Sequence, residues 1–218
     1  MNRRTFLAAT ASTPLVAGCL YDRWFDLEWD EEVLLNDGRV IVVHLKQSYE
    51  RLGQSFSRYG GTNLTRDTTL TFDAGGTTGR VTQLFKGFHP MFIGLHDEQW
   101  YAVLYGGYYH RSREMPGQDW GELEGPYGQW AVRLTEGKWI PISMSRLPEA
   151  FQSPNVLLLY GTAAEHAEFD GKTVTLQDKK AWLSQHPLGY AHLRLTRPTA
   201  SSPRRKDSIN SALTGDGK

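Results

Sequence analysis

Residues 33–43 read Val-Leu-Leu-Asn-Asp-Gly-Arg-Val-Ile-Val-Val, and the Asp37-Gly38 step inside this apolar run constrains the fold more than any other feature. Asp-Gly accepts the positive φ angles of a tight turn, and the β-branched residues around it favour a pleated surface. The segment therefore predicts a hairpin. Two comparable units follow. Residues 91–95 and 100–105 are apolar runs on either side of His96-Asp97-Glu98-Gln99 and predict a second hairpin. Trp130, Val132 and Leu134 share one face of a strand that turns at Glu136-Gly137 and returns through 138–142 as a third.

Between these units, 69–73 alternates cleanly, with Leu70 and Phe72 on one face, and 80–85 returns after a glycine-bearing loop at 74–79. Residues 47–67 are polar and glycine-rich and read as a long loop; 106–128 read as another, rich in glycine and aromatics. A short apolar strand is predicted at 155–160. Thr175-Leu176-Gln177-Asp178 resembles a capping box, in which hydroxyl and carboxylate satisfy orphan amides at a helix start. One helix follows, from 176 to 184, ended before Pro187. The expected fold is mainly β: a single β-sandwich or distorted barrel of short antiparallel hairpins with one C-terminal helix.

The amino terminus carries an address. Met1 to Arg4 is a short basic stretch, 6–17 is modestly apolar, and small residues precede Cys19. A dozen moderately apolar residues are too few to span a bilayer, which takes about 20, and they fit a cleaved export signal over residues 1–18. Leu15-Val16-Ala17-Gly18-Cys19 resembles the lipobox of bacterial lipoproteins. That resemblance implies acylation of Cys19, removal of what precedes it, and a bilayer partner held through the acyl chains. An ordinary secretory signal with a chance cysteine is the alternative. Arg3-Arg4-Thr5-Phe6-Leu7 also resembles the twin-arginine export motif, with Arg3, Arg4, Phe6 and Leu7 in its key positions; general secretion using the arginines only for charge is the other route. Leu20 follows the cysteine, where an inner-membrane retention signal would place aspartate, so the resemblance favours the outer membrane facing the periplasm.

Processing at Cys19 would leave a tether at 19–28, a β-rich domain at 29–197 and a tail at 198–218 that lacks an apolar pattern and reads as disordered. About 200 residues suffice for one domain with a proper core. The chain balances 24 basic against 24 acidic residues, which argues against nucleic acid, whose binders carry a basic footprint. Cys19 is the only cysteine; once acylated it leaves no disulfide and no thiolate chemistry, so stability rests on packing.

Trp29-Asp30-Glu31-Glu32-Val33-Leu34-Leu35-Asn36-Asp37-Gly38-Arg39-Val40-Ile41-Val42 resembles the opening of a widespread group of uncharacterised proteobacterial proteins. Glu136-Gly137-Lys138-Trp139 with Leu147-Pro148, then Asn155-Val156-Leu157-Leu158, then Thr173-Val174-Thr175-Leu176-Gln177-Asp178-Lys179-Lys180 are similar to its later landmarks. The resemblance runs in order through most of 29–197. It implies a shared fold and carries no activity, ligand or catalytic residue.

Catalytic motifs are missing from the sequence: no nucleophile elbow, phosphate loop, dinucleotide fingerprint or His-Glu-x-x-His helix is present. His89, His96 and His110 read as turn or loop residues rather than metal ligands. His166, between Glu165 and Glu168, reads as part of a solvated turn. Glu31-Glu32 and Glu122/Glu124 are carboxylate pairs of the kind a glycosidase uses, and equally of the kind that keeps strand edges soluble. The aromatic loop is the better lead: Tyr108, Tyr109 and Trp120 form a candidate ligand surface, whereas Trp100, Trp130 and Trp139 are expected in the core.

These readings point to a membrane-anchored envelope lipoprotein with a non-enzymatic binding or structural role, its partner a periplasmic protein or glycan, and no cofactor or metal implied. A periplasmic glycan-binding module using 106–128 is the first alternative. A hydrolase without a familiar motif is the second.

Overall fold

The computed structural model describes residues 22–52, 62–106, 128–156, 163–185, 194 and 195. They form a β-sandwich with a C-terminal helix. One sheet has five strands in the order β4-β3-β2-β1-β9, the other four in the order β5-β6-β7-β8. The first is built from β1 (Trp24–Leu34), β2 (Val40–Leu52), β3 (Thr62–Asp73), β4 (Arg80–Lys86) and β9 (Thr173–Val174); the second from β5 (His89–His96), β6 (Gln99–Tyr105), β7 (Gln129–Thr135) and β8 (Lys138–Ile142). Pairing is antiparallel except between β1 and β9. The described strands do not join into a closed barrel. Helices α1 (Ala163–His166) and α2 (Leu176–Gln185) follow the second sheet.

The expected hairpins form, with turns set by local chemistry. The β1–β2 turn is the three-residue kind: Gly38 N–H donates to Leu35 O (3.1 Å), Leu35 N–H donates to Arg39 O (2.8 Å), and Gly38 takes φ 87°. Only the glycine enters the left-handed region, as a G1 bulge requires. The β5–β6 and β7–β8 turns hold two residues each at positive φ: Asp97 and Glu98 at 48° and 59°, Glu136 and Gly137 at 51° and 74°.

Alternation builds the core. Along β1, Leu27, Trp29, Glu31 and Val33 point inward, and β2 continues the same surface with Val43, Leu45, Gln47 and Tyr49. Trp100, Trp130 and Trp139 face them from the second sheet, buried as expected. β6 is apolar on both faces because both are covered. Its Val103 and Tyr105 join Met91, Phe92, Met144, Leu147 and Phe151 in a second cluster, closed partly by a 3₁₀ helix (Met144–Arg146).

Three boundaries differ from the sequence reading. β2 runs on to Leu52 and β3 starts at Thr62, so residues 47–52 and 62–67 of the supposed loop are strand, and 53–61 lie outside the described residues. Gln47, Tyr49 and Thr68 keep the inward alternation there with polar atoms, which hides it from a hydrophobicity pattern. β1 begins at Trp24, so residues 24–28 of the segment read as tether are strand. The helix at 176 forms as expected, with Asp178 N–H donating to Thr175 Oγ1 (3.2 Å) and Thr175 N–H to Asp178 Oδ2 (2.9 Å). These Thr175 hydrogen bonds, backbone first, hold the Asp178 carboxyl below its usual range. The strand expected at 155–160 lies mostly outside the described residues, as does the tail at 198–218.

Candidate functional site

The outer edge of β1 is where distant parts of the chain meet. An edge strand exposes unpaired backbone groups, and β9 covers only Asp30 and Glu31. On either side of that pair, from Glu28 to Leu34, other groups take up the edge. Glu28 N–H donates to Asp170 Oδ1 (3.1 Å), Gly171 N–H to Glu28 O (2.7 Å), Lys179 Nζ to Glu32 O (2.8 Å) and Asn155 Nδ2 to Leu34 O (3.1 Å). Asn155 also reaches the second sheet: Nδ2 donates to Ile93 O (2.7 Å), and Oδ1 accepts from Ile93 N–H (3.0 Å). One carboxamide thus ties both sheets together.

Glu31 and Glu32 hold α2 on this edge. Period-2 alternation sends Glu31 into the core, where its carboxylate is fully buried and lies 2.7 Å from Lys179 Nζ. Trp29 Nε1 donates to the same carboxylate (3.3 Å). The Glu32 carboxylate points the other way and accepts from Leu176 N–H (3.0 Å) at the start of α2, where a helix favours negative charge. The pair read as edge solubility or glycosidase carboxylates is instead a two-sided dock for one helix. Glu122 and Glu124 lie outside the described residues.

A buried polar chain crosses the core between the sheets. Thr68 Oγ1 is 2.7 Å and Gln47 Nε2 3.3 Å from His89 Nδ1; Tyr49 OH donates to Gln47 Oε1 (2.9 Å) and also meets His166 Nδ1. A consistent set of protons follows. Thr68 and Gln47 donate to a bare His89 Nδ1, and His166 donates from Nδ1 to Tyr49, which leaves the His166 Nε2 lone pair facing inward without a hydrogen-bond partner among the described residues. Burial pushes the Tyr49 hydroxyl well above its ordinary value. It pushes His166 down to about 4, outweighing an upward pull from Glu165. Beside this chain, Gln47, Thr68 and His89 line a void walled by Trp29, Leu45 and Val156, with room for about one water molecule.

His166 and His89 therefore overturn the solvated-turn reading: both are buried. The sequence hint was slight. His166 opens no apolar run, and its partner Tyr49 lies far away in sequence on β2. His96 is on the surface, its Nε2 3.5 Å from Asp97. His110 lies outside the described residues. Among the described residues no group of three His, Cys, Asp or Glu is placed to hold a metal, and no helix is long and apolar enough to cross a membrane.

The end of the sandwich nearest the amino terminus has a different character. Trp24 opens β1 half-exposed (49%), with the Arg23 and Arg66 guanidiniums each 5.9 Å from its ring centroid. Arg51 lies 4.4 Å over Phe25, which stacks on Tyr49. Glu50, opposite Trp24 in the β1–β2 register, lies beneath Arg66 and Arg23, which both hydrogen-bond it and hold its carboxyl below the ordinary range. The base of the aromatic excursion is joined by Gly106 N–H donating to Gly128 O (3.0 Å). Tyr108, Tyr109 and Trp120, like Cys19, Arg3, Arg4, Phe6 and Leu7, lie outside the described residues.

Comparison with models of known families, with curated proteins and with solved structures finds no match.

Proposed function

We propose that this chain is a lipid-anchored envelope protein whose β-sandwich binds a partner or serves structurally, rather than catalysing a reaction. The observation that carries the reading is the Leu15–Cys19 lipobox pattern set a few residues ahead of Trp24, where the first strand begins. An acylated Cys19 would hold the domain directly at a bilayer, the outer membrane facing the periplasm being favoured by Leu20 at the following position.

The non-enzymatic part rests on how the ionisable groups are used. Glu31, Glu32 and Lys179 are committed to seating α2 on β1. His166 and Tyr49 are committed to one another inside the core. The test is fractionation of inner and outer membranes for the native protein and Cys19→Ala, followed by crosslinking in intact cells to identify the neighbour. Outer-membrane native protein and unprocessed Cys19→Ala are expected. Normal processing and membrane retention of Cys19→Ala would reject the anchor.

A second reading, a periplasmic glycan-binding module, is favoured by the closed base at Gly106 and Gly128, which returns the aromatic excursion to its point of departure. Loops with close ends on a rigid sheet commonly carry binding residues. Replacing Tyr108, Tyr109 and Trp120 by alanine should abolish cosedimentation with isolated cell-wall glycan under this reading. Unchanged cosedimentation would reject it.

A further inference from the structure

We infer that the end of the sandwich formed by Arg23, Trp24, Arg51 and Arg66 lies against the phosphate-bearing headgroups of the bilayer that holds Cys19. The inference rests on the lipid-anchor reading and adds an orientation and a lipid-contacting surface to it.

Reach comes first. Three residues separate Cys19 from Arg23, and over the four steps between them, at about 3.4 Å each, even a fully extended chain keeps Arg23 within roughly 14 Å of the acylated cysteine. An acylated cysteine sits at the headgroup level, so this end of the domain is confined beside the bilayer whatever the rest does.

The side chains held there suit that layer. Trp24 is one of few large apolar side chains left half-exposed among the described residues, and two guanidiniums each lie 5.9 Å from its ring centroid. Tryptophan is enriched at membrane interfaces because its ring is apolar with one polar edge. Guanidiniums match phosphate oxygens as hydrogen-bonding forks. The Arg23 side chain is 69% exposed even though one nitrogen bonds Glu50, while the Glu50 side chain is only 2% exposed. The anionic partner is therefore inside and the cationic faces outside. Among the described residues at this end, the guanidiniums of Arg23, Arg51 and Arg66 stand against the carboxylates of Glu50 and Asp22, so their charge favours phosphate rather than repelling it. The opposite end of the β1–β2 hairpin carries exposed Leu34, Val40 and Val42 and an exposed arginine, Arg39, that is paired with the likewise exposed Asp37 rather than with a buried carboxylate, and the strand holds it away from the anchor.

The test uses the mature lipidated protein, extracted and reconstituted into phosphatidylethanolamine–phosphatidylglycerol vesicles with brominated acyl chains, which quench tryptophan emission at short range. The other described tryptophans, Trp29, Trp100, Trp130, Trp139 and Trp182, are buried. Native protein should lose a share of emission that Trp24→Phe does not lose, and Arg23→Gln should reduce that share while Glu50 keeps Arg66. Intact mass on the same sample reports whether Cys19 is acylated. Identical quenching of native and Trp24→Phe on acylated protein would overturn the contact and leave the anchor standing. Unmodified Cys19 would overturn both.

Discussion

The Lys179 ammonium lies 2.7 Å from the Glu31 carboxylate, and both groups are buried where α2 crosses the edge of β1. Removing one partner of such a pair strands the other without water. Lys179→Met should therefore cost about 3–5 kcal/mol in urea unfolding, whereas Glu31→Leu together with Lys179→Met should recover much of that loss. A single variant near native stability would show that α2 contributes little to the fold.

Asn155 is the second clasp. Asn155→Ala deletes three hydrogen bonds and leaves Leu34 O and both backbone polar groups of Ile93 short of a partner. The expected loss is about 2–4 kcal/mol, at roughly 1–3 for each of the two Ile93 groups, Leu34 O being exposed to water. Amide exchange should rise at Ile93 first, since its N–H donates to the deleted side chain.

The sequence and the structure agree where chemistry is local. Asp37-Gly38, Glu136-Gly137 and Thr175–Asp178 each declare their turn or cap within a few residues. Glu31 was legible in principle, because strict alternation puts it in one row with Leu27, Trp29 and Val33. Its charge and its neighbour Glu32 disguised it as a surface pair. What no local pattern carries is the choice of partner: Lys179 reaches Glu31, and His166 reaches Tyr49, across most of the chain. The polar inward positions Gln47 and Thr68 serve His89 on another sheet, so they broke the hydrophobic pattern that would have marked their strands.

His166 makes stability depend on acid. Its folded value of about 4 lies below the ordinary 6.5, so the neutral ring is the form the fold holds. The contribution is fully present above pH 6.5 and is lost as pH falls through about 4, because the unfolded chain takes up the proton first. The full loss is about 3 kcal/mol. Chemical unfolding between pH 7 and 4 should show this slope in the native protein and a flatter one in His166→Phe. Equal slopes would place the ring in water.

Gly94 has no room for a side chain: a Cβ would stand 2.6 Å from the Phe92 ring and 2.8 Å from Phe151. Those rings already pack at 4.7 Å in the second core. Gly94→Ala should cost about 1–3 kcal/mol through overpacking, read as a lowered melting temperature.

The Asp97-Glu98 turn places two residues with side chains at positive φ. Asn-Gly suits that geometry better, so Asp97→Asn with Glu98→Gly should stabilise the protein by about 0.5–1 kcal/mol. Differential scanning calorimetry would detect the rise, and a fall would mean that the acidic pair makes contacts worth more than the strain.

The anchor is tested most directly by the intact mass of the membrane-extracted native protein. A chain that begins at Cys19 and carries diacyl or triacyl modification is expected. A chain retaining Met1, recovered in the soluble fraction with a free Cys19 thiol, would contradict it.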